Sequence, residues 1–188
     1  MPSANVLPYV TAAEFLEHSA EYGPSELVRG AIRFMTPASG AHGVIAGTIF
    51  AALNAFVESR QLGVCFPDNT GFLLPGLGDT VRSPDAAFVR ASKLQPGGIG
   101  PGWISVAPDL VVEIRSPNET QSEVDAKLRD YFVSGTQLIW IVDPIARVVE
   151  ARTAETGEHR SETEMLDGGD VLRGFALPVE HLFARLAR

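Results

Sequence analysis

At 188 residues the chain is long enough to bury a sizeable core, and it is read as one domain spanning residues 1–188. Hydrophobic residues make up 45% and charged residues 20%, an ordinary globular balance, and the single cysteine excludes an internal disulfide. The net charge of −8 argues against a tight non-specific grip on phosphates, so any nucleic-acid role requires a local basic patch.

The opening Met1-Pro2-Ser3-Ala4-Asn5 lacks the basic and apolar segments of a secretory signal, and no apolar stretch is expected to cross a bilayer. The expected location is cytoplasmic. Thr11-Ala12-Ala13-Glu14 forms a capping box that opens a helix over about residues 11–20, ended by Gly23-Pro24. Glu26–Arg29 and Ala31–Met35 predict a hairpin with Gly30 in its turn. Val44, Ile45, Ile49, Ala52, Leu53 and Phe56 recur at helical spacing and predict a long helix from about Ala41 to Glu58, with His42 at its start. Residues 62–90 predict β-structure, most clearly Gly71–Pro75 and Pro84–Arg90. Cys65, between Val64 and Phe66, reads as a buried thiol. The glycine- and proline-rich run 95–102 lacks a strand-to-helix context and reads as a surface loop rather than a phosphate cradle.

Pro108–Ser116 is the most apolar strand, placed in the centre of a sheet covered on both faces. Leu110, Val112 and Ile114 share one face, and Val111, Glu113 and Arg115 the other. A carboxylate beside a core costs several kcal/mol unless it is paired or bound to a metal, so Glu113 demands a partner. Arg115, two positions on, is the simplest candidate.

Thr120-Gln121-Ser122-Glu123 is a second capping box, launching a helix to about Ser134 that Gly135 closes. Val124, Leu128, Tyr131 and Phe132 form its apolar stripe; Lys127 falls about 60° from Val124 and about 40° from Tyr131, at the edge of the buried face. Its ammonium either reaches a cleft beside Glu113 or pairs with Glu123 one turn earlier. Gln137–Pro144 predicts another core strand and Arg147–Arg152 its hairpin partner. Residues 157–172 predict short edge strands, and Pro178 is expected to open a terminal helix to about Leu186. This order predicts a mixed α/β sheet rather than a regular βαβ array.

Asp85 and Asp109 each follow a proline, where turn chemistry suffices to explain an aspartate, and that is the reading taken for Asp109. Two carboxylates at adjacent strand ends with a cation nearby also suit Mg²⁺, which takes one or two protein carboxylates with water and phosphate oxygens. No spacing suggests zinc, and no Gly-x-Ser-x-Gly elbow suggests a serine hydrolase.

Pro84-Asp85 followed by Glu113-Ile114-Arg115 resembles the Pro-Asp…(Asp/Glu)-x-Lys signature of the PD-(D/E)XK nuclease superfamily. Glu26–Gly30, His42, Arg82–Val89, Pro108–Pro117, Asp125-Ala126-Lys127, Tyr131, Gly135 and Trp140–Pro144 together resemble the bacterial "putative restriction endonuclease" family, expanded in cyanobacteria, over about Tyr9 to Phe183. The resemblance implies a restriction-endonuclease-like core, a central mixed sheet flanked by helices, with Mg²⁺ or Mn²⁺ held by Asp85 and Glu113 and by the Ile114 carbonyl. It also implies DNA as substrate and a homodimer with no membrane partner. Arg115 departs from the signature lysine and, being almost never deprotonated, cannot act as a base. In this family a helix lysine replaces the strand lysine, which gives Lys127 that role and leaves Arg115 to meet a phosphate. Glu26 matches an acidic position and is implied as an additional ligand, and His42 as a phosphate or supporting contact. Ala31 stands where the family is often acidic. The rival expectation is a catalytically inactive relative that binds nucleic acid or protein.

Overall fold

The computed structural model describes residues 9–117 and 119–186; the Met1–Asn5 segment lies outside them. In chain order, α1 (Ala12–Glu17) and α2 (Ser19–Tyr22) precede the hairpin β1 (Ser25–Val28) and β2 (Ala31–Phe34), and α3 (Gly40–Ser59) follows. The strands β3 (Gly63–Pro67), β4 (Phe72–Leu73), β5 (Val81–Arg82), β6 (Ala86–Arg90) and β7 (Leu110–Ile114) lead to α4 (Gln121–Ser134). The chain then runs through β8 (Leu138–Asp143), β9 (Val148–Arg152), β10 (Gly157–Arg160), β11 (Met165–Gly168) and β12 (Leu172–Pro178) to α5 (Glu180–Phe183).

Six strands form the central sheet in the order β10-β9-β8-β7-β6-β3. β7 and β8 are its parallel neighbours, joined by the α4 crossover that a parallel pair requires; its other pairs are antiparallel. All five residues of β7 are buried, as a strand covered on both faces must be. Leu110, Val112 and Ile114 pack with Ile45, Ile49 and Leu53 of α3, while Val111 packs with Val124, Leu128 and Tyr131 of α4. The expected alternation is therefore observed, and Glu113 lies on the α4 face. Each fully buried residue of the α4 stripe contributes roughly 1.5–3 kcal/mol.

Ser39 caps α3 by accepting the His42 N–H at 3.2 Å. Ile45, Ile49, Leu53 and Val57 then recur at four-residue intervals and enter the core. The expectation that no apolar stretch reaches spanning length is corrected by this helix, whose 20 residues are long and apolar enough to cross a membrane by length and composition. Its inner face is packed on the sheet instead.

A second sheet, β2-β1-β5-β4, carries α1 on one side. Its β1–β2 turn holds Arg29 at φ +49° and Gly30 at φ +77°, the two left-handed positions of a tight hairpin. The expected 11–20 helix is broken at His18, whose φ −102° and ψ 12° end α1 before α2 begins. The strand expected over Gly71–Pro75 narrows to Phe72–Leu73. Pro178 does not open a terminal helix: it ends β12, a strand paired with β11, and α5 begins at Glu180. Phe175 and Leu177 alternate inward along β12, and Phe175 stacks on Trp140 with centroids 5.5 Å apart. A strand period thus prevails over the proline signal.

Candidate active site at the end of the central strands

Asp85 sits just before β6. The β6–β7 register pairs Ala86 with Val112, which puts Asp85 at the end of the ladder near Glu113, and the Asp85 N–H donates to the Val112 carbonyl at 3.0 Å. Pro84 has no N–H with which to carry the ladder further. The Asp85 carboxylate continues it: Oδ2 accepts the Ile114 N–H at 2.6 Å. Oδ1 takes Nε2 of His42, in the first turn of α3, at 2.8 Å. The hydrogen bond to Asp85 raises the His42 pKa against the opposing effect of burial, and the charges of Asp85, Asp68 and Glu113 add to the rise.

Glu113 is held by two side chains one turn apart on α4. The Tyr131 hydroxyl donates to Oε1 at 2.8 Å, and the Lys127 ammonium donates to Oε2 at 3.2 Å. Lys127 also reaches Glu119 Oε1 at 3.0 Å. Burial pushes Glu113 up to about 7; Lys127 pulls the other way, the Asp85 and Glu26 carboxylates add to the rise, and the Tyr131 hydrogen bond opposes it. Glu113 holds the Lys127 pKa well above the ordinary lysine value, with burial opposing and Glu26 and Glu119 assisting. Lys127 is thus a firm ammonium, a donor of charge and hydrogen bonds rather than a proton acceptor. The alternative pairing with Glu123 is absent, because Glu123 closes the capping box by accepting the Thr120 N–H at 2.8 Å.

The Glu113–Arg115 pairing is also absent. Arg115 Nη1 lies 3.9 Å from Asp143 Oδ2, and its side chain is 33% exposed, at the rim of the site. The Ile114 carbonyl shares the strand edge from which its own N–H meets Asp85. Glu26 comes near this group electrostatically but belongs to β1 of the second sheet, where its Oε2 accepts from Arg82 Nη1 at 2.6 Å and its Oε1 from the Ser83 N–H at 3.0 Å. The structure therefore gathers Asp85, Glu113, Lys127, His42 and Ile114, and leaves Arg115 at the edge and Glu26 behind.

Two neighbours were not legible as site residues. Tyr131 carries the family resemblance and sits in the apolar stripe, but neither signal marks its hydroxyl as the partner of Glu113. Arg82 belongs to the resembling Arg82–Val89 stretch, but that resemblance assigns it no role. Asp109 is not explained by turn chemistry. It is 0% exposed and accepts from Arg90 Nε at 2.6 Å and the Arg90 N–H at 2.9 Å, with Lys93 at 3.1 Å, at the far end of β7 from Glu113.

Among the described residues no group of three or more His, Cys, Asp or Glu side chains is arranged to hold a metal. That disfavours a closed protein cage of the kind zinc takes. Mg²⁺ or Mn²⁺ asks for less: one or two carboxylates, with water and phosphate filling the remaining positions. Asp85 and Glu113 supply that oxygen donor set. Burial is the main cause of the raised Glu113 pKa, with the Asp85 and Glu26 carboxylates adding to it, and a dication beside Glu113 would favour its ionised form. The residues fit such an ion.

A family model described as "Putative restriction endonuclease" matches residues 12–180. The crystal structure of a putative nuclease belonging to DUF820 from Anabaena variabilis superposes with a TM-score of 0.78 at 21% identity, covering 93% of this chain and 98% of that one. At that identity the likeness shows a shared fold. No curated protein matches the chain.

Proposed function

Because the chain belongs to the Uma2 family of putative restriction endonucleases, we propose that it hydrolyses phosphodiester bonds of DNA with the help of Mg²⁺ or Mn²⁺. The observation that carries this reading is the meeting of Asp85 and Glu113 at the ends of two neighbouring strands, with Asp85 on the Ile114 N–H and the Lys127 ammonium on Glu113.

Asp85 and Glu113 would hold the ion, with the Ile114 carbonyl beside them. When bound, such an ion supplies positive charge to the phosphate and lowers the pKa of water. The chain's own groups do the rest. His42 and the Ile114 N–H fix the Asp85 carboxylate from two sides. Tyr131 and Lys127 fix Glu113, and Lys127 offers its remaining N–H donor to water or to a phosphate oxygen. Arg115, partly exposed and only loosely paired, meets the phosphate backbone with a planar cation. Cutting both strands of a duplex calls for two such sites, and a homodimer provides them.

Plasmid cleavage with Mg²⁺ or Mn²⁺ tests the reading, comparing wild type with Glu113→Ala and Lys127→Ala. Cleavage should be lost in both variants; equal cutting by all three would refute the assignment. A second reading, a silent relative that binds without cutting, draws on the double engagement of Lys127 by Glu113 and Glu119. It predicts no Mn²⁺ binding that disappears in Asp85→Ala.

A further inference from the structure

Behind the site lies a cluster of buried charges that the catalytic reading does not use. Glu26 of β1, Arg82 of β5 and Asp130 of α4 are 4%, 5% and 2% exposed. Arg82 bridges the two acids with its fork. Nη1 donates to Glu26 Oε2 at 2.6 Å, while Nη2 and Nε donate to Asp130 Oδ2 at 2.6 and 3.2 Å. The free oxygens are taken as well: the Ser83 N–H donates to Glu26 Oε1 at 3.0 Å, and Arg29 Nη2 donates to Asp130 Oδ1 at 2.7 Å. Every acceptor and most of the donors are matched, as a buried network must be to persist.

Of the elements it ties together, α4 carries Lys127 and Tyr131, and β5 leads into the segment that carries Asp85. Ser83 lies two residues before Asp85. Asp130 lies next to Tyr131 and three residues after Lys127, on the helix that holds Glu113. β5 is only two residues long and has few ladder hydrogen bonds of its own to fix it. A buried ion cluster is no better than apolar packing at stabilising a fold, so its use here is geometric. We infer that Arg82 is a positioning residue: the Glu26–Arg82–Asp130 brace locks the segment delivering Asp85 against α4, and so sets where Asp85 stands relative to Glu113, Tyr131 and Lys127. The inference deepens the nuclease reading and rests on it for the reason that the spacing matters, since catalytic groups must be held to within about 0.5 Å.

The Ile114 amide reports on this brace without any metal, because its N–H is held by the Asp85 carboxylate. Two variants separate position from stability. Arg82→Lys keeps the charge but cannot span both acids. Arg82→Met combined with Glu26→Gln and Asp130→Asn removes the charges at similar volume, with circular dichroism verifying the fold. Amide hydrogen exchange is measured by NMR on the metal-free full chain, with Val111 and Ile139 as core controls, and Mn²⁺ affinity by calorimetry. The expected result is Ile114 exchange at least about 10-fold faster in both variants, unchanged controls, and Mn²⁺ binding weakened about 10–100-fold. Native Ile114 exchange in folded variants overturns the inference. So does an equal acceleration of all three amides, which would make Arg82 a contributor to stability alone. If wild type binds no Mn²⁺ while Ile114 still loosens, the brace stands and the metal-dependent reading falls.

Discussion

Replacing Tyr131 with phenylalanine removes one oxygen and leaves the ring packing. The ring is fully buried, and the hydroxyl donates to Glu113 Oε1 at 2.8 Å. A hydrogen bond to a neutral acceptor is worth about 1 kcal/mol and one to a charged acceptor about 2 kcal/mol, so the cost depends on the charge of Glu113. That carboxyl is pushed from 4.5 up to about 7 in the folded chain, chiefly by burial and against the pull of Lys127. A folded pKa above the unfolded one means that the native state binds this proton more tightly. The stability it contributes is complete below pH 4.5 and is lost as pH rises through about 7. The Tyr131 hydrogen bond holds the pKa down, so Tyr131→Phe lifts it further and deepens the loss on the alkaline side. In metal-free buffer the variant should melt about 2–4 °C below wild type near pH 5.5 and about 4–8 °C below it near pH 8, taking about 2–4 °C per kcal/mol for a chain of this size. Thermal unfolding followed by circular dichroism at the two pH values gives the comparison. A deficit that is equal at both, or smaller near pH 8, refutes the assignment of Tyr131 as the support of a buried, ionising Glu113.

On the nuclease reading Mg²⁺ would displace the Glu113 proton, so its stabilisation of the wild-type melting temperature should grow from about pH 5.5 to about pH 8 and vanish in Asp85→Ala; a pH-independent shift would place the ion elsewhere. Asp109→Asn unpairs Arg90 and Lys93 at the opposite end of β7. It should cost about 3 kcal/mol in urea unfolding yet leave cleavage per folded molecule intact, a combination that a catalytic aspartate could not give. Burial pushes the Cys65 thiol up to about 12. Ellman's reagent should therefore titrate no thiol near pH 8 until denaturant is added, and a rapid native reaction would contradict the buried strand.

The parts of the fold visible in the sequence are those whose signals are local. The two capping boxes, Gly135 as a left-handed cap at φ +107°, and the five-residue β7 core all follow from neighbouring residues. What escaped depends on partners distant in sequence. β12 runs up to Pro178 because Phe175 finds Trp140, a contact that a reading of Pro178 alone cannot supply. The same holds at the site. Asp85, Glu113 and Lys127 are legible because motif and helical angle point to them. The Tyr131 hydroxyl and the Arg82 fork are not, since stripe periodicity counts Tyr131 as apolar and Arg82 lies 48 positions from Asp130.

The transfer of the cation from strand to helix changes what that cation does. A lysine at position 115 would stand at the rim, where Arg115 has solvent on one side and Asp143 on the other. Lys127 instead approaches Glu113 from α4 and is locked as an ammonium by two carboxylates. His42, hydrogen-bonded to Asp85 at 2.8 Å, stands on the other flank. On the nuclease reading, the groups nearest the phosphate are thus two acids with a locked ammonium on one side and an imidazole on the other. Lys127 then acts by fixed charge aimed at the developing transition state. It follows that Lys127→Arg, which preserves the charge at the cost of geometry, should retain part of the cleavage that Lys127→Ala loses. If the arginine variant is as inactive as the alanine one, the ammonium acts through its shape or its proton, and the electrostatic account fails.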